Sequence, residues 1–300
     1  MLTKFGAHSN VVFIGDSITA ANLVLPRVIH AYKNVLKTPG IHFNNCGVAG
    51  GTAKFACDTF DIDIAIHNPT HAVIAFGIND SNRDLLSEPR SPERLNKLEA
   101  AFDRYRKSMT ELVDRLLAMG TEVTLCTPVP YDEYTAGDPP LRGGYSLMLG
   151  YAEFVRNLAR EKGVALYDQH AILSRILATD PIISPDRVHP TEHGYFVLAR
   201  EFLAAQGIDV GEECPVPDYF SEWHSYVARL RCVLAGDCMI VRDMSIPTDE
   251  RIAFMQAKLE KEDWGIPVFE RYIRAYVADK PEEASLRAAI DRTYLRDIYR

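Results

Sequence analysis

The chain has 300 residues, 47% hydrophobic and 25% charged, and a net charge of −8 from 33 basic and 41 acidic side chains. That composition suits one large globular domain or a domain with an appendage, and with no basic block nucleic acid is not an expected partner. No apolar run approaches the roughly 18 residues of a membrane span. The N-terminus MLTKFGAHSN lacks the long apolar stretch of a leader, and Cys46, Cys57, Cys126, Cys214, Cys232 and Cys238 form no C-x-x-C pair, so reduced thiols in a cytoplasmic protein are expected.

Along the chain, short apolar runs alternate with helical patterns. Val11–Ile14, Ile41–Asn44, His71–Phe76, Glu122–Cys126 and Val164–Tyr167 read as buried strands. A long helix falls between the third and fourth. Ser91 caps it, Pro92 opens it and Glu93 suits its positive end. Leu95, Leu98, Phe102, Tyr105, Met109, Leu112 and Leu116 recur at three- and four-residue steps as its core stripe, and Gly120 stops it. Further helices are expected over about Tyr145–Lys162, stopping at Gly163, and Glu192–Ala205, capped by Thr191. Strands separated by helices predict a parallel sheet covered on both faces. Ligands then sit beyond the carboxyl ends of the strands. Gly211, Pro215 and Pro217 mark a linker over residues 208–220, after a first domain of residues 1–207. Residues 221–300 read as a helical C-terminal extension, which holds both Trp223 and Trp264.

The unusual residues cluster just after the apolar runs. Gly15-Asp16-Ser17 follows the first strand and opens a helix. A serine there has its hydroxyl at the sheet edge beside unpaired N–H groups, which suits a nucleophile and its oxyanion; a plain helix cap is the competing reading. Asn45-Cys46-Gly47-Val48-Ala49-Gly50-Gly51-Thr52 is a glycine-rich loop after the second strand. Gly77-Ile78-Asn79-Asp80 follows the third, where the Asn79 amide could face an oxyanion or simply make a turn. Asp186 stands three residues before His189, a spacing that lets a carboxylate hold an imidazole that accepts a proton. His193 follows, so Asp186, His189 and His193 also allow a metal reading, although no glutamate or cysteine completes a cluster.

Taken in this order, the clusters resemble the SGNH hydrolases, also called GDSL-type esterases. The matching positions are G-D-S at Ser17, N-x-G-x-x-G at Asn45, Gly47 and Gly50, G-x-N-D at Gly77, Asn79 and Asp80, and D-x-x-H at Asp186 and His189. The resemblance spans about residues 11–205, and Ile18 stands where leucine is common. It implies an α/β fold, a three-layer α/β/α sandwich with a central parallel, flavodoxin-like sheet. It implies Ser17 as nucleophile, His189 as base and Asp186 as its partner. The oxyanion hole would comprise the Ser17 and Gly50 N–H groups and the Asn79 side chain. Asp16 is placed with the substrate-binding groups. No metal and no cofactor are expected, and the partner is a small-molecule ester.

The polar and aromatic Tyr131–Tyr145 loop favours an acetyl group on a carbohydrate over a long acyl chain. Acyltransferase, lysophospholipase and thioesterase activities use the same site and stay open. A non-catalytic ligand-binding module is the rival of another class, disfavoured because every catalytic position is filled. The aromatic extension is expected to build a homo-oligomer.

Overall fold

The apolar runs pair as one parallel sheet. In the computed structural model, which describes residues 2–134 and 140–211, the strands are β1 (Asn10–Gly15), β2 (His42–Gly47), β3 (His71–Ala75), β4 (Glu122–Cys126) and β5 (Ala165–Tyr167). Their order is β2-β1-β3-β4-β5, with every pairing parallel. This is the flavodoxin-like order, whose switch point lies between β1 and β3. Successive strand residues serve opposite faces. Val12, Ile14, Ala72, Ile74, Val123 and Leu125 enter one core, while Val11, Phe13, Phe43, Val73, Cys126 and Tyr167 enter the other. Both sides are apolar because helices cover both.

The helices are α1 (Ser17–Ala20), α2 (Leu25–His30, continued by a π-helical turn over Ala31–Val35), α3 (Ala53–Asp58), α4 (Phe60–Asp63), α5 (Pro92–Ala118), α6 (Gly144–Lys162), α7 (Gln169–Leu177) and α8 (Glu192–Ala205). The buried faces of α3, α5 and α6 close the first core. Those of α2, the end of α8 and the N-terminal Leu2 and Phe5 close the second. The result is the expected α/β/α sandwich.

Local chemistry sets the ends of these elements. Ser91 Oγ accepts from Arg94 N at 3.1 Å at the start of α5, and Thr191 Oγ1 accepts from Gly194 N at 3.0 Å at the start of α8. The α5 stripe is shorter than its periodicity suggests. Tyr105, Met109, Leu112 and Leu116 are at most 1% exposed, but Leu95 is 55% exposed. The reason is length: a helix of 27 residues runs about 40 Å, while five-residue β3 runs about 17 Å. The first turns of α5 therefore overhang the sheet.

Helix α7 was not anticipated. Asp168 caps it, accepting from Ala171 N at 3.3 Å, and the Arg156 Nε bonds the other carboxylate oxygen at 2.8 Å. The described cysteines, Cys46, Cys57 and Cys126, are buried, and burial pushes the thiols of Cys57 and Cys126 up to about 12. Among the described residues no helix is long and apolar enough to cross a membrane. Most of the expected linker and the whole of the expected extension, with its assembly role, lie outside the described residues.

Candidate active site

Ser17 is the first residue of α1, directly beyond β1 and beside the switch point. Asp16 is the N-cap in extended conformation, and its carboxylate accepts from Ile18 N at 2.9 Å. Asp16 is 5% exposed, and burial pushes its carboxyl up to about 6. It borders a small, mainly apolar cavity of about 70 Å³ behind α1, with Thr19, Phe76 and Leu198. Asp16, expected among the substrate-binding groups, caps the helix through one carboxylate oxygen and borders this cavity.

The short helix is tied to the end of β2. Asn45 Nδ2 donates to Thr19 O at 3.0 Å and to Asn22 Oδ1 at 2.9 Å, while its Oδ1 accepts from Gly47 N at 2.9 Å. A Cβ on Gly47 would stand 2.4 Å from Ala20 N, so only glycine lets α1 approach this closely. Asn45 and Gly47 therefore set where the Ser17 hydroxyl points.

Two more loops meet this turn. Val48 N donates to Gly15 O at 2.9 Å, which ties the glycine-rich loop to the end of β1. Gly50 is exposed there at φ +72°, a left-handed conformation that suits glycine. Asn79, beyond β3, donates from Nδ2 to Gly51 O at 3.0 Å, and the same amide nitrogen carries a second N–H. Asp80 lies behind them, 8% exposed. Its Oδ1 accepts from Ala53 N at 2.9 Å at the start of α3, and its Oδ2 has no hydrogen-bond partner among the described residues. Burial first, then the nearby Asp16 charge, pushes the Asp80 carboxyl up to about 7.

The fourth loop precedes α8. Ile183 and Pro190 form an antiparallel bridge, and Ser184 N donates to His189 O at 2.8 Å, closing a small hairpin. Within it, Asp186 Oδ1 accepts from Ser184 Oγ at 2.7 Å and from Val188 N and His189 N at 2.9 Å each. Asp186 Oδ2 meets His189 Nδ1 at 2.5 Å. Partial burial alone would raise this carboxyl. The donors from Val188, His189 and Ser184 outweigh it and hold the group well below the usual carboxylate range. Across the site, His189 Nε2 lies 2.7 Å from Ser17 Oγ. His193 is turned to Asp180 Oδ2 at 2.8 Å instead of joining His189. No three His, Cys, Asp or Glu side chains among the described residues are grouped to hold a metal.

The structure thus joins Ser17, His189 and Asp186 in one hydrogen-bonded line, and links Asn79 to the Gly50–Gly51 loop beside it. Sequence reasoning did not find Ser184, Asn22 or the buried Arg187. Ser184 carried a weak signal as a hydroxyl two residues before Asp186. Arg187 carried none, since its burial depends on a distant segment.

Residues 13–196 match the GDSL-like Lipase/Acylhydrolase family. The chain belongs to this family. As a family member it is a carboxylic ester hydrolase. It is 27% identical to an acetylxylan esterase of Geobacillus stearothermophilus, over 69% of this chain and 97% of that one. The solved structure of that organism's Axe2 acetylxylan esterase superposes with a TM-score of 0.57 at 25% identity, covering 69% and 98% of the two chains. Three further solved forms of Axe2 are catalytic mutants in which a serine, an aspartate or a histidine is replaced by alanine. A gut microbial diltiazem-metabolizing enzyme, BT4096, superposes with a TM-score of 0.55 at 26% identity, over 69% of this chain and 48% of that one.

Proposed function

We propose that this GDSL-family hydrolase removes acetyl groups from acetylated carbohydrates, with Ser17 as nucleophile, His189 as base and Asp186 as the partner of His189. The observation that carries the reading is the unbroken path Ser17 Oγ–His189 Nε2 at 2.7 Å and His189 Nδ1–Asp186 Oδ2 at 2.5 Å. Ser17 Oγ attacks the acetyl carbonyl as His189 takes its proton, and Asp186 stabilises the imidazolium. The oxyanion is held by the N–H groups of Ser17 and Gly50 and the second Asn79 Nδ2 proton. His189 returns the proton to the departing sugar hydroxyl. Water then attacks the acetyl-enzyme by the same route and releases acetate.

The acetyl and carbohydrate parts of the reading draw on the acetylxylan esterase likeness. In the Axe2 mutants the replaced aspartate and histidine are three residues apart, as Asp186 and His189 are here. The rim loop after β4 adds polar and aromatic groups. Glu133 accepts from Gly143 N at 2.8 Å and Tyr145 N at 3.1 Å, and the Tyr134 ring meets that of Tyr145 edge-on.

The test compares nitrophenyl acetate with nitrophenyl octanoate and measures acetate released from acetylated xylo-oligosaccharides, with Ser17→Ala as the control. Acetyl preference and acetate release are expected. Faster cleavage of octanoate, or no release from the sugars, would sink the substrate assignment.

A further inference from the structure

We infer that Arg187 is a positioning residue for His189, a reading that rests on His189 being the base. Arg187 lies inside the loop that carries Asp186 and His189, yet its guanidinium reaches out of that loop. It is 4% exposed. Its Nη1 donates to Asp132 O at 3.1 Å, and Asp132 N donates back to Arg187 O at 3.0 Å. Asp132 itself is fully buried. The two residues therefore grip each other in both directions, guanidinium to backbone and backbone to backbone, across a sequence separation of 55.

Two costs show that this grip is not incidental. Arg187 has φ +69°, a left-handed region that is costly for an L-residue and that glycine occupies freely. A guanidinium removed from water is costly as well unless it is hydrogen-bonded. A position shaped by backbone geometry alone would favour glycine. The arginine side chain must offset both costs through what it holds.

What it holds is the loop against the rest of the catalytic face. The bonds from Asp186 to Ser184, Val188 and His189 make the loop rigid within itself, and say nothing of where it sits relative to Ser17. Ser17 belongs to the sheet through β1. Asp132 belongs to the segment beyond β4, where buried Tyr131 accepts Leu141 N at 3.0 Å and a Cβ on Gly144 would stand 2.4 Å from the Tyr131 ring. The clamp therefore refers the base to a firm support next to the sheet. Loosening it would let the His189 Nε2–Ser17 Oγ contact open, and misplacement by about 1 Å can cost on the order of 100-fold in rate.

The experiment measures kcat, KM, fluorophosphonate labelling rate and Tm for Arg187→Gly, Arg187→Met and Arg187→Lys, beside His189→Ala. Glycine removes the guanidinium half of the clamp, leaves the backbone bond from Asp132 N to residue 187 O, and also relieves the backbone. Methionine keeps the apolar stem without a donor, and lysine restores one donor. The expected result for Arg187→Gly is a kcat lower by about 10- to 100-fold, a slower labelling rate in parallel, and KM within about twofold. Lysine should recover part of the loss and methionine should not. Folded Arg187→Gly with wild-type kcat overturns the proposal, even if its Tm falls, and so does methionine performing as well as lysine. Should Arg187→Gly fail to fold, the methionine–lysine pair decides. Retained activity in His189→Ala would remove the base assignment itself, a separate failure seen in a separate variant.

Discussion

The Ser17 turn and the His189 loop reach the same hydrogen bond by different physics. Ser17 sits where β1, the centre of β2-β1-β3, ends against α1, and close backbone contact at Gly47 leaves it no room to move. His189 sits outside the sheet, on a loop held by polar bonds to Asp186, Ser184 and, through Arg187, Asp132. Packing places the first, so damage there should register mainly as lost stability. The second packs through Ile183 and Val188 but is oriented by directed hydrogen bonds, so loss of those bonds should register as lost rate in a folded protein.

The largest effect expected is that of His189→Ala. Its kcat should fall by about 10⁴-fold or more, close to the effect of Ser17→Ala, because groups that act as a unit are not additive. Circular dichroism and Tm should stay near wild type, and a comparable loss of Tm would erase the contrast between the two regions. Asn79→Ala comes next. Removing one oxyanion donor typically costs about 100- to 1,000-fold in kcat, and steady-state kinetics on nitrophenyl acetate would show it. A change in KM alone would take Asn79 out of the oxyanion hole.

Gly47→Ala tests the packed side. The added methyl meets Ala20 N and the Thr19 side chain, and overpacking of this sort costs about 1–3 kcal/mol. Thermal denaturation should show the loss, and an unchanged Tm would mean that α1 yields easily.

The smallest effect expected is the pH dependence carried by Asp80. Its folded carboxyl is raised to about 7, so between about pH 4 and 7 the native state holds a proton that the unfolded chain has released. Stability therefore falls as pH rises through that window and levels off above it. The substitution Asp80→Asn keeps an acceptor for Ala53 N and removes the titrating group. It should flatten the fall in Tm between about pH 4 and 7 by a few degrees, roughly 2–4 °C per kcal/mol. Asp16, raised to about 6, leaves a residual slope of the same sign. Asp186 works in the opposite direction: its folded value is depressed, so its contribution is present above about pH 4 and is lost as pH falls further. An unaltered pH profile in Asp80→Asn would show that the buried carboxyl is not the source.

Much of this was legible because it is local. The five apolar runs, the Ser91 and Thr191 caps and the stop at Gly163 depend on neighbours a few residues away, and all of them recur in the structure. The same holds for Asp186 and His189, whose spacing brings carboxylate and imidazole together within one hairpin. Helix α7 was missed because it is short and follows β5 with only Asp168 between them.

Local pattern is enough for the alternation of strand and helix, and it puts Ser17, Gly50 and Asn79 just beyond strands whose ends a parallel sheet gathers at one edge, and His189 just before a helix. Which of those groups meet depends on how the whole chain packs. Ser17 and His189 are 172 residues apart, and no local pattern encodes a contact of 2.7 Å across that distance. The same is true of the inward turn of Asp16, the burial of the Asp80 carboxyl and the burial of Arg187. Each depends on which distant backbone atoms lie opposite, and the sheet order and loop docking fix those only once the whole chain has packed.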